Sequence, residues 1–447
     1  MNFNMNENKY YIETYGCQMN VSDSELISGI LSKDGYTETK NINNADIILV
    51  NTCAIREHAE DKIHSRLGFY NKIKEKRQSI IIGVLVCMAQ NLKENILESK
   101  PYVDIVLGPD SYRNLLGMIK ARDNERLQYI DTNLSRNEVY ENMTPHRNKG
   151  VNAWISIMRG CDKFCTFCVV PFTRGRERSR SIESIFLEAS KAVKDGFLEI
   201  TLLGQNVNSY NHSGRKFEEL LVEIAKIPNL KRIRYTSPHP QDMTQEVLDV
   251  MATFDNICNY IHLPLQAGNN NVLKRMNRTY TKEEYLTLVN KIHKTIPDVG
   301  LSTDIIVGFP GENDMEFQET LDVMELVRFD SAYTFKYSAR PGTKAAEYED
   351  HVSELEKQIR LERVISTQRK HTMFNNKNYL GKTELVLVEK ESKKSNKKWA
   401  GRTDSNKWVI FDKSNVNIGD IVPVLINEVK GITLHGNILC LQEMEAA

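Results

Sequence analysis

The chain has no long apolar run, no excess of charge of either sign and only three tryptophans. Of its 447 residues, 59 are Lys or Arg and 59 are Asp or Glu, so the formal net charge is zero. A neutral total removes global charge as an argument for a nucleic-acid partner and leaves only local patches to carry one. The most apolar stretch, IIIGVLV at Ile80–Val86, falls far short of the ~20 residues a membrane helix needs. The polar start MNFNMNENK has no apolar signal core. These absences predict a cytoplasmic protein with no membrane partner. With 40% hydrophobic and 26% charged residues, a chain of this length is expected to fold as two or three packed domains.

Eight cysteines in a large intracellular chain are poor material for disulfides and point to metal binding or catalysis. Three of them, Cys161, Cys165 and Cys168, form C-x3-C-x2-C in MRGCDKFCTFCVVPFTRGRERSR, and no Cys or His follows nearby to complete a four-ligand zinc site. A [4Fe-4S] cube held by three thiolates keeps one iron open. Cys17, Cys53 and Cys87 each follow a β-branched run, at nearly equal intervals: YYIETYG, ADIILVNT and SIIIGVLV. These runs alternate with helical stretches, which predicts an α/β domain with a parallel sheet over residues 8–125. Thiols at the carboxyl ends of neighbouring strands share the edge where open α/β sheets bind ligands. The competing reading is small apolar side chains that cap buried strands. Cys258 and Cys440 read as inert thiols, and His58, His64 and His293 as surface residues.

After a linker at 126–150, six strand-like runs (WISIM, EITLLG, RIRYTS, YIHLPL, STDIIVG, AYTFKYS) alternate mostly with amphipathic stretches. They predict a partial (β/α)6 barrel over 151–377, including a long charged helix from about His351 to Asn376. Polar or small residues close its strands at the rim where such barrels place ligands: Gly204, Gln205 and Asn206, then Ser237, Gln266, Gly308 and Arg340. The tail, 378–444, reads as a small antiparallel β-barrel. Its segment Lys390–Lys407 reads as a loop with seven Lys or Arg against two acids. Lys394, Lys397, Lys398, Trp399 and Arg402 are its expected RNA contacts, against the alternative of a solvated lysine loop.

The C-x3-C-x2-C run after a first barrel strand resembles the radical S-adenosylmethionine (SAM) superfamily. There the open iron is chelated by SAM, and reductive cleavage gives a 5′-deoxyadenosyl radical. LLGQN resembles the stretch that holds the SAM amino group, with Gln205 and Asn206 where an acid is common. IIVGFPGE, with Gly308, resembles the adenine-contacting stretch. By the same resemblance Ser237, Gln266 and Arg340 are expected at the ribose or carboxylate. With ETYGCQMN, NTCAIRE, GVLVCMAQ, SPHP, HLPLQAG and a tail like a TRAM domain, the chain is similar across almost its whole length to the methylthiotransferase family, in its bacterial tRNA branch.

That resemblance implies two [4Fe-4S] clusters and SAM as cofactors. One cluster would be held by Cys161, Cys165 and Cys168 for radical formation, the other by Cys17, Cys53 and Cys87 to carry a sulfur that SAM methylates. The implied reaction replaces the hydrogen on carbon 2 of an N6-isopentenyladenosine, next to the anticodon of tRNA, with a methylthio group. Implied partners are that tRNA, a low-potential electron donor and a sulfur source, with the chain a monomer. Arg174, Arg176, Arg178 and Arg180, beside the radical site, are expected at phosphates or a flipped base. Glu13, Asn20, Asn51 and Arg56 are expected around the N-terminal thiols. Sister enzymes acting on a ribosomal protein or on threonylcarbamoyladenosine stay open as alternatives, as does a non-catalytic metal-containing RNA-binding protein.

Overall fold

The computed structural model describes residues 8–52, 57–125, 127–148, 150–349 and 351–439; Cys53, Arg56 and Cys440 lie outside them. The first layer is a sheet of six parallel strands, β1 (Lys9–Thr14), β2 (Thr37–Glu38), β3 (Ile47–Asn51), β4 (Ile81–Leu85), β5 (Ile105–Leu107) and β6 (Tyr129–Asp131), in the order β2-β1-β3-β4-β5-β6. IILVN of β3 and IIGVL of β4 are buried at every position and apolar except for Asn51. Such runs suit a sheet covered on both faces. Ile47 and Leu49 pack into one apolar cluster, Ile48 and Val50 into the opposite one. The order β1-β3-β4 puts the ends after which Cys17 and Cys87 stand on either side of the β3 end.

All six expected barrel strands form. They are β7 (Asn152–Ser156), β10 (Glu199–Leu203), β13 (Arg232–Tyr235), β14 (Tyr260–His262), β15 (Gly300–Val307) and β16 (Ser331–Lys336). Two three-stranded parallel sheets, β13-β10-β7 and β14-β15-β16, meet through a parallel bridge between Ile233 and Ile257. The ring stays open between β7 and β16. Two short antiparallel pairs complete this region. One joins β8 (Met158–Arg159) to β9 (Arg178–Ser179), bracketing the cysteine loop, and the other joins β11 (Asn211–His212) to β12 (Arg215–Lys216). Outer helices bury one stripe, as in Ile182–Lys194 with Ile182, Ile185, Ala189 and Ala192 inside. Ser181 caps that helix by accepting the Ser184 N–H at 3.3 Å.

The helix Glu354–Lys377 packs along β16 and leads to a closed barrel of β17 (Thr383–Ser392), β18 (Ser395–Arg402), β19 (Trp408–Asp412), β20 (Ile421–Lys430) and β21 (Thr433–Ile438). Its β19–β21 pairing is parallel, where the sequence predicted an antiparallel barrel throughout. The reason is arithmetic: an odd number of strands cannot close a ring with every neighbour antiparallel. The expected loop Lys390–Lys407 is largely strand, since β17 and β18 form a hairpin through it.

This barrel docks on the amino ends of the radical-domain strands through buried charge. Arg234 donates to Glu199 Oε2 at 2.8 Å and to the Thr403 carbonyl at 2.8 Å, and Arg402 reaches Glu199 Oε1 at 2.8 Å. Arg232 donates to the carbonyls of Arg402 and Leu385 at 2.6 and 2.9 Å. No helix among the described residues is long and apolar enough to cross a membrane.

Candidate active site

Gly16, at φ +119°, turns the chain out of β1 so that Cys17 caps the helix Gln18–Lys33. The Cys17 thiol lies 3.6 Å from Asn20 Oδ1. Asn51, at the end of β3, holds Asn20 from behind: its Nδ2 donates to the Asn20 carbonyl at 2.6 Å and to Ser24 Oγ at 2.8 Å. Cys87 enters the helix Val86–Leu92 directly after β4, behind Val86 at φ +69°, a conformation β-branched residues rarely adopt. Gly160, at φ +79°, precedes Cys161, and a Cβ there would run into the Arg176 carbonyl.

Cys17, Cys87, Cys161, Cys165 and Cys168 all line one cavity of about 310 Å³ between the α/β domain and the open barrel. Strained backbone gathers around it: Phe164 (φ +48°), Ser237 (+59°) and Gln266 (+70°) join Val86. Burial pushes the Cys161 thiol up to about 11 and Cys168 up to about 12, and raises Cys87. A metal bound there would have to displace the protons these surroundings retain. Among the described residues no three Cys, His, Asp or Glu groups converge on a point one ion could hold. The thiols instead border an open volume, which suits a cluster edge.

One arginine reaches each cysteine group. Arg174 Nε donates to Cys87 Sγ at 3.2 Å and its NH2 to Asn20 Oδ1 at 3.2 Å, while NH1 is buried without a partner. The same guanidinium pairs with Asp23 at 2.8 Å, and Arg159 pairs with Asp23 at 2.6 Å. Burial works to raise the Asp23 carboxyl, but Arg174 and Arg159 outweigh it and hold it below the ordinary range. Arg278 NH1 donates to Cys165 Sγ at 3.3 Å and its Nε to Tyr280 OH at 3.0 Å. His239 also lines the cavity, and burial beside Arg278 and Lys163 drives it down to about 2, so it stays neutral.

Of the SAM-contact expectations, Gly204, Gln205, Asn206, Ser237 and Gln266 line the cavity. Gln205 and Gln266 each hold a buried, unpartnered Oε1, acceptors that match the ammonium and hydroxyl donors of SAM. The Asn206 amide is committed elsewhere, with Nδ2 on Asp242 at 2.8 Å and Oδ1 accepting the His239 N–H at 3.1 Å. Gly308 and Arg340 are not among the cavity-lining residues. Gly308 backs onto Lys357 of the long helix, and its N–H donates to Glu312 Oε2 at 2.6 Å.

The arginine expectations need correction. Arg174, Arg178 and Arg180 are buried, and their partners are acids: Asp23 for Arg174, Asp110 for Arg178 and Glu188 for Arg180. These pairs brace the domain interface and the cysteine loop; Arg174 also lines the cavity, whereas Arg178 and Arg180 do not. Arg176 alone is exposed, paired with Asp162 at 2.6 Å. In the tail, Lys394 and Lys397 are exposed, but Lys398 pairs with Asp412 at 3.2 Å and the half-buried Arg402 is paired with Glu199 and Glu389. Trp399 packs on the small barrel's core with Lys413 Nζ 4.1 Å over its ring, so it is no open stacking platform. Glu13 engages Arg66 at 2.7 Å rather than a thiol.

Sequence reasoning missed Arg278, Asp23, His262 and Asp304. His262 and Asp304 lie in stretches singled out as strands or motifs, HLPLQAG and STDIIVG, but as side chains none of the four carried a local signal, and only the fold brings them to the cavity or its wall.

The fold and the three-thiol loop define a radical SAM protein, and the model of the radical SAM superfamily matches residues 155–324. An uncharacterized family, UPF0004, matches 9–108 and the TRAM domain matches 377–439. A radical SAM methyltransferase of Kitasatospora setae, TsrM, shares the fold at a TM-score of 0.59 and 14% identity, over 76% of this chain and 77% of that one. A tRNA-2-methylthio-N(6)-dimethylallyladenosine synthase of Christiangramia forsetii is 46% identical over 98% of this chain and 95% of its own length. One of Acetivibrio thermocellus is 44% identical over 96% and 91%. The chain belongs to this synthase family.

Proposed function

We propose that this chain converts N6-dimethylallyladenosine, next to the anticodon of tRNA, to its 2-methylthio derivative, with Cys161, Cys165 and Cys168 holding one [4Fe-4S] cluster and Cys17, Cys53 and Cys87 the other. The observation that carries the division of roles is that five of these thiols, from two domains, open on one cavity. When bound, the clusters and SAM supply a 5′-deoxyadenosyl radical at one site and a methylated sulfur at the other. The chain's residues do the rest. Gln205 and Gln266 offer acceptors that orient SAM. Arg278 and Arg174 donate to one thiolate of each group and so fix where the clusters sit. The α/β domain roofs the open barrel and keeps water from a reactive species. Domain limits of 8–125, 151–377 and 378–444, a cytoplasmic monomer, an external low-potential electron donor and a sulfur source complete this reading.

The test is an anaerobic reaction of the reconstituted protein with SAM, a strong reductant and isopentenylated tRNA lacking methylthio groups, read by nucleoside mass spectrometry. A 2-methylthio product formed with 5′-deoxyadenosine is expected. 5′-Deoxyadenosine without modified tRNA would move the substrate to a sister enzyme's target. Cys161→Ala should abolish 5′-deoxyadenosine formation, whereas Cys17→Ala should retain it and lose thiolation. Full product from Cys17→Ala would sink the division of labour.

A further inference from the structure

We infer that Asp304, His262 and Tyr333 form the subsite that receives the target adenine, with the Asp304 carboxylate accepting the N6–H of its alkylated amine and the Tyr333 ring supplying a stacking face. The inference rests on the proposed substrate. Asp304 is the one carboxylate among the described residues that line the cavity of the five cysteines. Its only side-chain hydrogen-bond or ion-pair partner among the described residues is His262 Nε2, at 3.4 Å. That long contact leaves most of the acceptor capacity of a carboxylate unused. His262 is held from its other nitrogen: Nδ1 lies 2.9 Å from the buried Ser302 Oγ, itself 2.6 Å from Tyr260 OH.

Strand register places these groups on one face. His262 pairs with Ser302 and Asp304 with Tyr333, and alternate residues of a strand share a side, so β14, β15 and β16 carry them on one sheet face; His262 and Asp304 line the cysteine cavity and Tyr333 stands beside them, outside its lining. Tyr333 is 59% exposed and Phe335, two residues along β16, is 41% exposed. The His262 and Tyr333 rings meet in a T-shaped contact with centroids 5.7 Å apart, and more than half of the tyrosine stays exposed beside it. Exposed aromatic rings beside a spare anionic acceptor suit an unstacked base with a single exocyclic N–H. An N6-alkyl group on that base would meet Phe335.

The test compares kcat/KM on tRNA carrying N6-isopentenyladenosine with that on tRNA whose N6 is additionally methylated, so that no N6–H remains. Wild type should prefer the secondary amine by at least about tenfold, the scale of a hydrogen bond to a charged group. Asp304→Ala should bring the ratio towards one while SAM affinity, measured by equilibrium binding without RNA, stays unchanged. Tyr333→Leu should raise KM for tRNA and Tyr333→Phe should restore it. A preserved ratio in Asp304→Ala overturns the inference, as does a fall in SAM affinity, which would assign the carboxylate to the SAM ribose. Should wild type make no product from isopentenylated tRNA, the functional reading itself fails and takes the inference with it.

Discussion

Arg174 joins what the chain separates: it belongs to the radical-domain cysteine loop, yet its contacts are Cys87, Asn20 and Asp23 of the α/β domain. Removing one partner of a buried pair costs about 3–5 kcal/mol, because the other charge stays behind uncompensated. Arg174→Ala is therefore expected to lower the thermal midpoint clearly. Arg174→Lys keeps the charge but not the planar fork. It should recover much of the stability while holding less iron at the N-terminal cluster, as iron counting and cluster spectroscopy would show. Arg176 is the contrast. Its exposed pair with Asp162 contributes little. Arg176→Glu should leave the unfolding free energy within about 0.5 kcal/mol of wild type, and any effect should appear as weaker, less salt-dependent tRNA binding.

Among elements, the contact between helices Gln18–Lys33 and Ile182–Lys194 has a built-in conflict. Glu25 and Glu188 share Arg147, at 3.3 Å for Glu25. Burial, with the Glu188 charge beside it, pushes Glu25 up to about 7 despite Arg147. Its folded pKa exceeds its unfolded one, so the native state binds the extra proton between about 4.5 and 7, and stability falls as pH rises through that window. Glu25→Gln should flatten this part of the unfolding profile and melt above wild type at pH 8. The same scale shows what could be read in advance. Strands such as IILVN and STDIIVG were legible because β-branched runs admit few other structures, and Cys17 and Cys87 followed from their ends. Arg174 and Arg178 were not, because their acids lie 151 and 68 residues away in the chain, and burial by a distant domain leaves no local mark. Trp399 misled for a related reason: an aromatic beside lysines looks the same whether it faces RNA or a barrel core.

For the whole molecule, the small barrel is more than an appended binding module. Glu199, Arg232 and Arg234 at the foot of the larger barrel are satisfied largely by its backbone and by Arg402. A chain ending at Lys377 would strip Arg232 of its carbonyl partners and leave Glu199 and Arg234 with only each other. It is expected to aggregate or unfold cooperatively at lower denaturant, rather than merely bind tRNA less well; equilibrium unfolding of the shortened chain would show which.

The docking has a second effect. The small barrel meets the amino ends of the strands, whereas the cavity opens at their carboxyl ends, and β15 alone is 8 residues long, roughly 25 Å of extended chain. An RNA held by the exposed Lys394 and Lys397 while it inserts a base between the cysteine groups must bridge that height. If those lysines hold the RNA, the spacing between the two ends of the larger barrel would act as a gauge and favour a stiff, folded RNA over a short strand of identical bases.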